Sequence, residues 1–522
     1  MNKNTVRQRI LVSAFANAVK AVVGFSMGII IARSLSPVGY GDLFFLIGSF
    51  TAICALLDMG TSSAFYTFIS KSTKNQLFYY LYFCWLILQF LLVVLVVSVF
   101  LPSNLVDKIW LGQSGSIILA AFVAQFAQQR VWPTVVQICE ARRKTVLAQL
   151  SGVVISVLHL LIVLLLIAFD NLTIESALAS IFSVYVIASI VIFRALHADL
   201  RVENIVSDVR SYIIEVMQDY WKFCRPLILV ALFSFLYEFA DRWLLQLFGG
   251  SEQQGFYQIS ARIAAVSLLA TASMLSIFWK EIADSYSNGD MERVGRVFHR
   301  VTRALYVLGT IVACFLIPWA EDITKTVLGD EYREAWPVLA VMLFYPIHQS
   351  IGQINATMFL ASERTDSYMR ITLFGMIVSM PVSYFVLALP SNSFVPGLGL
   401  GALGIALKMV VLNFSLVNLQ SWLLSKYHHW KFDWLFQVIV AVSALVLSYA
   451  MKWLGTQVVS PIGIASLFSE MILTMAISGA TYLLIIIAII WIKPEIAGTD
   501  KQELQNLASS LLSRIRSISV GR

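Results

Sequence analysis

Charge is what this sequence has least of: only 13% of its 522 residues are Asp, Glu, Lys or Arg, whereas 59% are hydrophobic. Soluble domains carry about 25% charged residues, so an ordinary soluble enzyme or binding module is excluded. Cysteine is scarce too. Its five positions (Cys54, Cys84, Cys139, Cys224, Cys314) lie in or beside apolar runs and form no CxxC pair, which points to small core residues rather than disulfides or metal ligands. A P-loop, a GxGxxG, a DxD sugar-nucleotide pattern and any His/Cys metal spacing are all lacking. The segments expected outside the membrane are short and leave no room for an outer catalytic domain. The chain therefore reads as a non-enzyme that needs no cofactor.

What is present is a series of long apolar runs. A span needs roughly 20 mostly apolar residues to cross a hydrocarbon core about 30 Å thick. Windows of that kind fall at about 10–32, 42–66, 78–101, 115–138, 146–169, 174–193, 223–248, 256–279, 301–320, 336–361, 371–389, 398–422, 432–454 and 467–492. The expectation is an all-α polytopic membrane protein with about fourteen transmembrane helices. The opening MNKNTVRQRI and its apolar run resemble a signal peptide. The run is too long, contains Lys20 and lacks a small-residue cleavage site, so it reads as the first span.

Orientation follows from the basic residues. Lys3, Arg7 and Arg9, then Arg142, Arg143 and Lys144, then Lys280, Arg293, Arg296 and Arg300 lie in the N-terminus and alternate loops. The intervening loops hold only Arg33, Lys108, Lys325, Arg333 and Lys452. Positive loops stay inside, so both termini are expected in the cytoplasm and the span count is even. The net charge of +7 is then a topology signal and not a nucleic-acid site.

The sequence divides into an N-terminal six-helix lobe (1–200), a linker (201–222), a C-terminal six-helix lobe (223–425), helices 13 and 14 (426–495) and a tail (496–522). In the linker, Ile205, Val209, Ile213, Val216 and Tyr220 share a face; in the tail, Leu504, Leu507, Leu511, Ile515 and Ile518 do. Both fit amphipathic helices on the cytoplasmic leaflet, or ordinary solvated segments. A weak repeat joins the lobes. ARSLSPVGYGDLF follows helix 1 and LFGGSEQQGFYQI follows helix 7, with Gly39 and Gly255 216 positions apart. Six helices per lobe imply a pseudo-two-fold axis along the membrane normal.

Polar residues at membrane depth carry what chemistry there is, because each costs roughly 2.5–3.5 kcal/mol in lipid and so usually faces a cavity. Helix 1 aligns Ser13, Asn17, Lys20, Gly24 and Gly28; helix 2 has Thr51, Asp58 and Ser62. Helix 4 carries Gln125, Gln128 and Gln129, with Arg130 on another flank, and helix 5 aligns Gly152, Ser156 and His159. Helix 7 aligns Ser234, Glu238, Asp241 and Arg242, and helix 8 adds Ser260, Ser267 and Thr271. Helix 10 aligns His348, Gly352 and Asn355; helix 12 aligns Gly401, Gly404, Lys408 and Ser415. Stripes of Gly and Ser alone fit helix–helix packing, whereas those with charge fit a cavity. Glu238 and Arg242, four apart, also fit a local ion pair, and His159 and His348 fit hydrogen-bonded core positions or proton carriers. Interior Lys20, Arg130 and Lys408 among Asn17, Gln128, His348 and Asn355 suit an anionic, hydroxyl-rich substrate such as a phosphate-linked sugar. Drug transporters also use polar clefts. Asp58, Glu238 and Asp241 are the candidate sites for a coupling ion.

The stretch from Ile29 to Gly60 resembles the start of bacterial polysaccharide flippases of the multidrug, oligosaccharidyl-lipid and polysaccharide exporter superfamily. Ala32-Arg33, Pro37, Tyr40-Gly41 and Leu56-Leu57-Asp58-Met59-Gly60 carry the likeness. In the second half it rests on Pro226, Asp241-Arg242 and Gly255-Phe256-Tyr257. It covers about residues 5–420, and helices 13 and 14 match in hydropathy only. The resemblance implies a flippase of the bacterial inner membrane that takes undecaprenyl-pyrophosphate-linked oligosaccharide to the periplasmic leaflet. It further implies alternating access, coupling to H+ or Na+, and partners among membrane lipids and other polysaccharide assembly proteins. A small-molecule extruder of the same fold is the alternative.

Overall fold

In a computed structural model, the chain is described except for residues 1–5, 73, 201–207, 269–277, 279–280, 283, 287–289, 393–394, 463–465, 503–504, 507–508 and 510–522. The expected tail helix and Thr271 lie outside the described residues. Every regular element among the described residues is helical, so the all-α expectation holds. Ten helices there are long and apolar enough to cross a membrane. Ten is fewer than fourteen for physical reasons. Two of these helices, over Val12–Asp58 and Val209–Leu268, run through a kink where the sequence places a loop between spans. Two further expected spans, 115–138 and 336–361, are interrupted and do not form single runs.

The chain folds into two compact units, residues 1–259 with 376–405, and residues 260–375 with 406–522. In the first unit, α1 (Val6–Asp58) is kinked at Ser36 and ends at Met59 and Gly60, both with positive φ. A Cβ on Gly60 would lie 2.4 Å from Leu227 Cδ1, the end of a side chain that can move, so it is the positive φ that calls for glycine there. The next helix, α2 (Thr61–Lys71), begins at once, and the Asp58 carboxylate accepts from the Ser62 amide at 3.0 Å. An acid at a helix N-terminus satisfies an orphan N–H and complements the helix dipole, so the Leu-x-Asp-x-Gly pattern encodes a helix break with its own cap.

After α3 (Gln76–Leu95) and the short α4 (Ser103–Ile109), α5 (Gly115–Phe126) passes through a π turn at Ala127–Val131 into α6 (Trp132–Ala141). Pro133 at the start of α6 has no N–H to give to an unbroken ladder. α7 (Thr145–Ala168) lies against α1, and α8 (Ile174–Leu200) against α5 and α7. α9 (Val209–Ala264), the longest helix among the described residues, kinks at Gly250. Its first turns are the described part of the expected linker. They continue into the span without a break, and Tyr220 meets the rings of Phe68 and Phe78.

The two kinks share one backbone conformation. Ser36 has φ 61° and ψ 169°, and Gly250 has φ 75° and ψ 179°. A Cβ on Gly41 would sit 1.8 Å from the Ser251 carbonyl oxygen, and one on Gly255 2.1 Å from that of Pro37. Positions 36, 37 and 41 therefore correspond to 250, 251 and 255, a separation of 214. The register of 216 that pairs Gly39 with Gly255 is corrected by two residues, because the sequence reading aligned side chains where the structure repeats a backbone turn. Gly41, not Gly39, is the counterpart of Gly255.

In the second unit, α10 (Met291–Leu316) packs on α12 (Tyr345–Ala361), which follows the short α11 (Trp336–Met342). α13 (Thr365–Leu387) and α14 (Gly401–His428) each belong partly to both units. The closing helices α15 (Trp434–Val459) and α16 (Leu467–Ile492) pack on one another, with a Cβ on Gly455 only 2.1 Å from Ser478 Oγ. Small residues let helix backbones approach where lipid supplies no hydrophobic drive. Tyr482 reaches the Ile311 carbonyl at 3.3 Å and Ser448 that of Phe315 at 3.2 Å. Lys452 pairs with Asp322 at 2.5 Å, so the two closing helices are fastened to α10 and its extension.

Candidate functional site

Lys20 projects from α1 toward α7, where its ammonium donates to the Gln149 amide oxygen at 3.0 Å. A Cβ on Gly152 would lie 3.3 Å from Lys20 Cδ, so this glycine leaves room for the lysine stem. The side chain is half-buried, and its bonded partner is neutral. Asn17, one turn earlier, is exposed.

Asp58 and Arg130, read from the sequence as coupling site and substrate contact, form an ion pair with each other. Arg130 is 5% exposed. Its other terminal nitrogen donates to Gln89 Oε1 at 3.0 Å, while Gln89 donates to the Leu57 carbonyl at 2.7 Å. Gln125 donates to Gln128 at 3.1 Å, and Gln128 to the Tyr185 hydroxyl at 3.2 Å. Thr51 closes this second chain by donating to Gln125 at 3.2 Å. Gln128 and Arg130 both lie in the π turn Ala127–Val131. An unbroken helix would turn through these residues with a shorter repeat, and π turns recur at functional sites. Gln89 and Tyr185, which the sequence pattern does not single out, complete two separate chains, one through Asp58 and Arg130 and the other through Gln125 and Gln128. The only signal for Gln89 is an isolated amide inside an apolar run.

Along α9, Glu238 and Arg242 pair at 3.6 Å, and Arg242 also donates to the Gly48 carbonyl at 3.2 Å. A Cβ on Gly48 would stand 2.4 Å from Arg242 Nε. Asp241 accepts from Ser383 Oγ on α13 at 2.5 Å. Nearer the Gly250 kink, Asp42 accepts from Ser251 Oγ at 2.6 Å and from Gln246 at 3.0 Å. Asp42 and Gln246 were not singled out in the sequence, although Asp42 directly follows the Tyr40-Gly41 of the family pattern.

The remaining candidates lie in the second unit. His348 shares a 3.2 Å hydrogen bond with Gln437 and packs against the rings of Tyr306 and Phe414. Asn355 is fully buried and donates to the Val417 carbonyl at 3.1 Å and to Ser421 at 2.9 Å, with its Oδ1 unpartnered. Lys408 is 3% exposed. His159 in the first unit bonds Ser180 Oγ at 3.1 Å. The described residues contain no group of three His, Cys, Asp or Glu able to hold a metal ion.

Two family models match the chain: "Polysaccharide biosynthesis protein" over residues 6–278 and MatE over residues 226–385. No curated protein sequence matches it. Among solved structures, the lipid II flippase MurJ in an inward closed conformation is similar with a TM-score of 0.66 and 13% identity, over 92% of this chain and 99% of that one. A multidrug resistance MATE family transporter of the MOP superfamily, inward-facing, is similar with a TM-score of 0.59 and 16% identity, over 78% and 95%. A MOP superfamily transporter from Pyrococcus furiosus gives 0.52 and 16%, over 82% and 97%. At such identities the likeness establishes the fold. These families and neighbours are transporters and flippases rather than enzymes, which bears out the resemblance read from the sequence. With its model covering more than half of the residues, the chain belongs to the polysaccharide biosynthesis protein family and has the flippase and transporter fold of the MOP superfamily.

Proposed function

We propose that this protein moves undecaprenyl-pyrophosphate-linked oligosaccharide from the cytoplasmic to the periplasmic leaflet of the bacterial inner membrane. The observation that carries this reading is the polysaccharide biosynthesis family match over residues 6–278. The route is the biosynthesis of a cell-surface polysaccharide, such as O-antigen or an exopolysaccharide. Two six-helix lobes and two further C-terminal spans, with both termini cytoplasmic, work by alternating access coupled to H+ or Na+.

Lys20 is the leading contact for the pyrophosphate. Its ammonium is hydrogen-bonded to a neutral amide, with the Glu140 carboxylate close enough to act on it without a hydrogen bond, and a charge-assisted bond to a substrate anion is roughly twice as strong as a neutral one. Lys408 is a second cation for the same anion, with Asn17, Gln128, His348 and Asn355 for the sugars. Arg130 joins them only when Asp58 lets go. A proton or Na+ at Asp58 weakens that pair, which gives coupling a concrete form. Glu238 and Asp241 are the other carboxylates able to take the ion.

The MatE match over residues 226–385 favours a second reading, a small-molecule extruder. Depletion in the native cell separates them. A flippase predicts that undecaprenyl-pyrophosphate-linked oligosaccharide accumulates on the cytoplasmic leaflet, with efflux of cationic dyes unchanged. Unchanged lipid-linked oligosaccharide with lost dye efflux removes the flippase reading.

A further inference from the structure

Polar atoms without partners gather in the second unit around a cavity of about 50 Å³, where α10, α12, α14 and the start of α15 meet. Such a space holds a few waters, since one water needs on the order of 10–15 Å³ on this measure. Thr302 lines it, and its Oγ1 is buried with no hydrogen-bond partner. Ser421 and Ser425 add hydroxyls. Asn355, fully buried, donates to Ser421 at 2.9 Å, and its own Oδ1 stays unpartnered. A buried polar atom left unpaired costs about 1–3 kcal/mol, so water in this cavity is stabilised by what surrounds it. Gln437 lines the cavity as well, and its Oε1 shares a 3.2 Å hydrogen bond with His348 Nε2. Tyr306 holds the Gln437 carbonyl at 2.7 Å. Ile347 and Ile351, which flank His348 along α12, are buried in an apolar cluster with Ala313 and Val417. The Gln437 amide is therefore the polar link from cavity to imidazole.

We propose that this cavity is a water vestibule that brings protons to His348, with Gln437 as its gate. When the amide turns aside, a cavity water reaches Nε2. In the tautomer with its hydrogen on Nδ1, that nitrogen takes a proton from hydronium and leaves water. The ring centroids of Tyr306 and Phe414 stand 5.7 and 4.8 Å from the imidazole, within the range where π faces attract a cation. The titratable and charged groups between His348 and the mouth are His299, Arg303 and Tyr306 on α10, with Lys431 and Asp433 before α15. Arg303 and Asp433 are paired at 2.6 Å, and α14 presents Phe414. The mouth lies beside Lys431, on the side to which the basic loops assign the cytoplasm. Ionisable side chains at membrane depth mark proton relays, and this one would be reached from a single side. The inference concerns proton access alone. It holds for a lipid-linked sugar or a small-molecule cargo, and adds to the sugar contact proposed above for His348.

The test is hydrogen–deuterium exchange at the histidine C2 position, read by mass spectrometry on the full-length protein in detergent from about pH 5 to 9. That exchange needs both solvent access and a protonated ring, so it reports the two properties together. Wild-type His348 should exchange on the order of tenfold faster than His159, which is just as buried but bonded to Ser180 Oγ. Its rate should rise with pH along a titration curve. Thr302→Leu fills the cavity without removing a hydrogen bond of the Thr302 hydroxyl to protein, and should slow His348 about fivefold. Gln437→Ala removes the gate and should speed His348, with His159 unchanged in both variants. Thermal stability is measured alongside, and the wild-type comparison stands if a variant fails to fold. Equal rates for His348 and His159 in the wild type overturn the vestibule. So does a His348 rate that neither variant moves.

Discussion

The kinks at Ser36 and Gly250 make the same backbone turn with different sequences. One is Leu-Ser-Pro-Val-Gly, the other Gly-Gly-Ser-Glu-Gln. Both place a residue at positive φ with ψ near 170–180°, a region that only glycine enters without strain. At Gly250 the sequence obeys that rule. At Ser36 it does not, and the following Pro37 compensates by favouring an extended ψ in the residue before it. The close contacts are reciprocal as well, Gly41 on Ser251 and Gly255 on Pro37. The pair teaches that the repeat is conserved as geometry, with glycine retained only where another backbone arrives within van der Waals distance.

The largest effect should come from filling those contacts. Gly41→Ala and Gly255→Ala should each lower stability by about 3 kcal/mol, the upper end for overpacking, because the obstacle is backbone and cannot rotate away. Gly39→Ala should be nearly neutral, since its Cβ would meet only Leu35 Cβ at 3.3 Å. Thermal unfolding in detergent reads all three. A costly Gly39→Ala with a tolerated Gly41→Ala would restore the 216 register.

A smaller effect is expected from the polar clasp beside the second kink. Ser251→Ala removes a 2.6 Å bond to Asp42 and should cost about 1.5–2 kcal/mol, as for a hydrogen bond to a charged group. Pro37 occupies the equivalent position at the first kink and has no hydroxyl, so this clasp breaks the symmetry of the pair. A double-mutant cycle with Asp42→Asn checks it, and additive losses would show that the two side chains are uncoupled.

The smallest effects are opposite in sign. Ser36→Gly should stabilise by about 1 kcal/mol by releasing a strained φ, and Gly250→Ser should cost a similar amount. Equal signs in the two thermal shifts would mean that the turns are not equivalent.

Much of the fold was legible because hydrophobic runs of fixed length have few alternative explanations. Continuity was not. The 42–66 window spans the break at Met59 and Gly60, because apolar composition runs through a turn that only backbone angles reveal. The site was legible as residue types and not as pairings. Helical spacing put Asp58 and Arg130 on separate stripes, and nothing in spacing says that a π turn aims one at the other. Lys20 stands out in the sequence as a cation on a stripe of small residues. Its neutral partner Gln149 sits on a different helix, beyond the reach of any periodicity.

Reconstitution tests the central claim most directly. Purified protein is placed in liposomes with a fluorescent polyprenyl-pyrophosphate oligosaccharide, and the fraction of probe reaching the opposite leaflet is followed with an impermeant quencher. Wild-type protein should move it, Lys20→Gln should move it at least tenfold more slowly with unchanged thermal stability, and Lys20→Arg should retain most of the rate. No movement by stable wild-type protein under either a proton or a sodium gradient would contradict the flippase assignment.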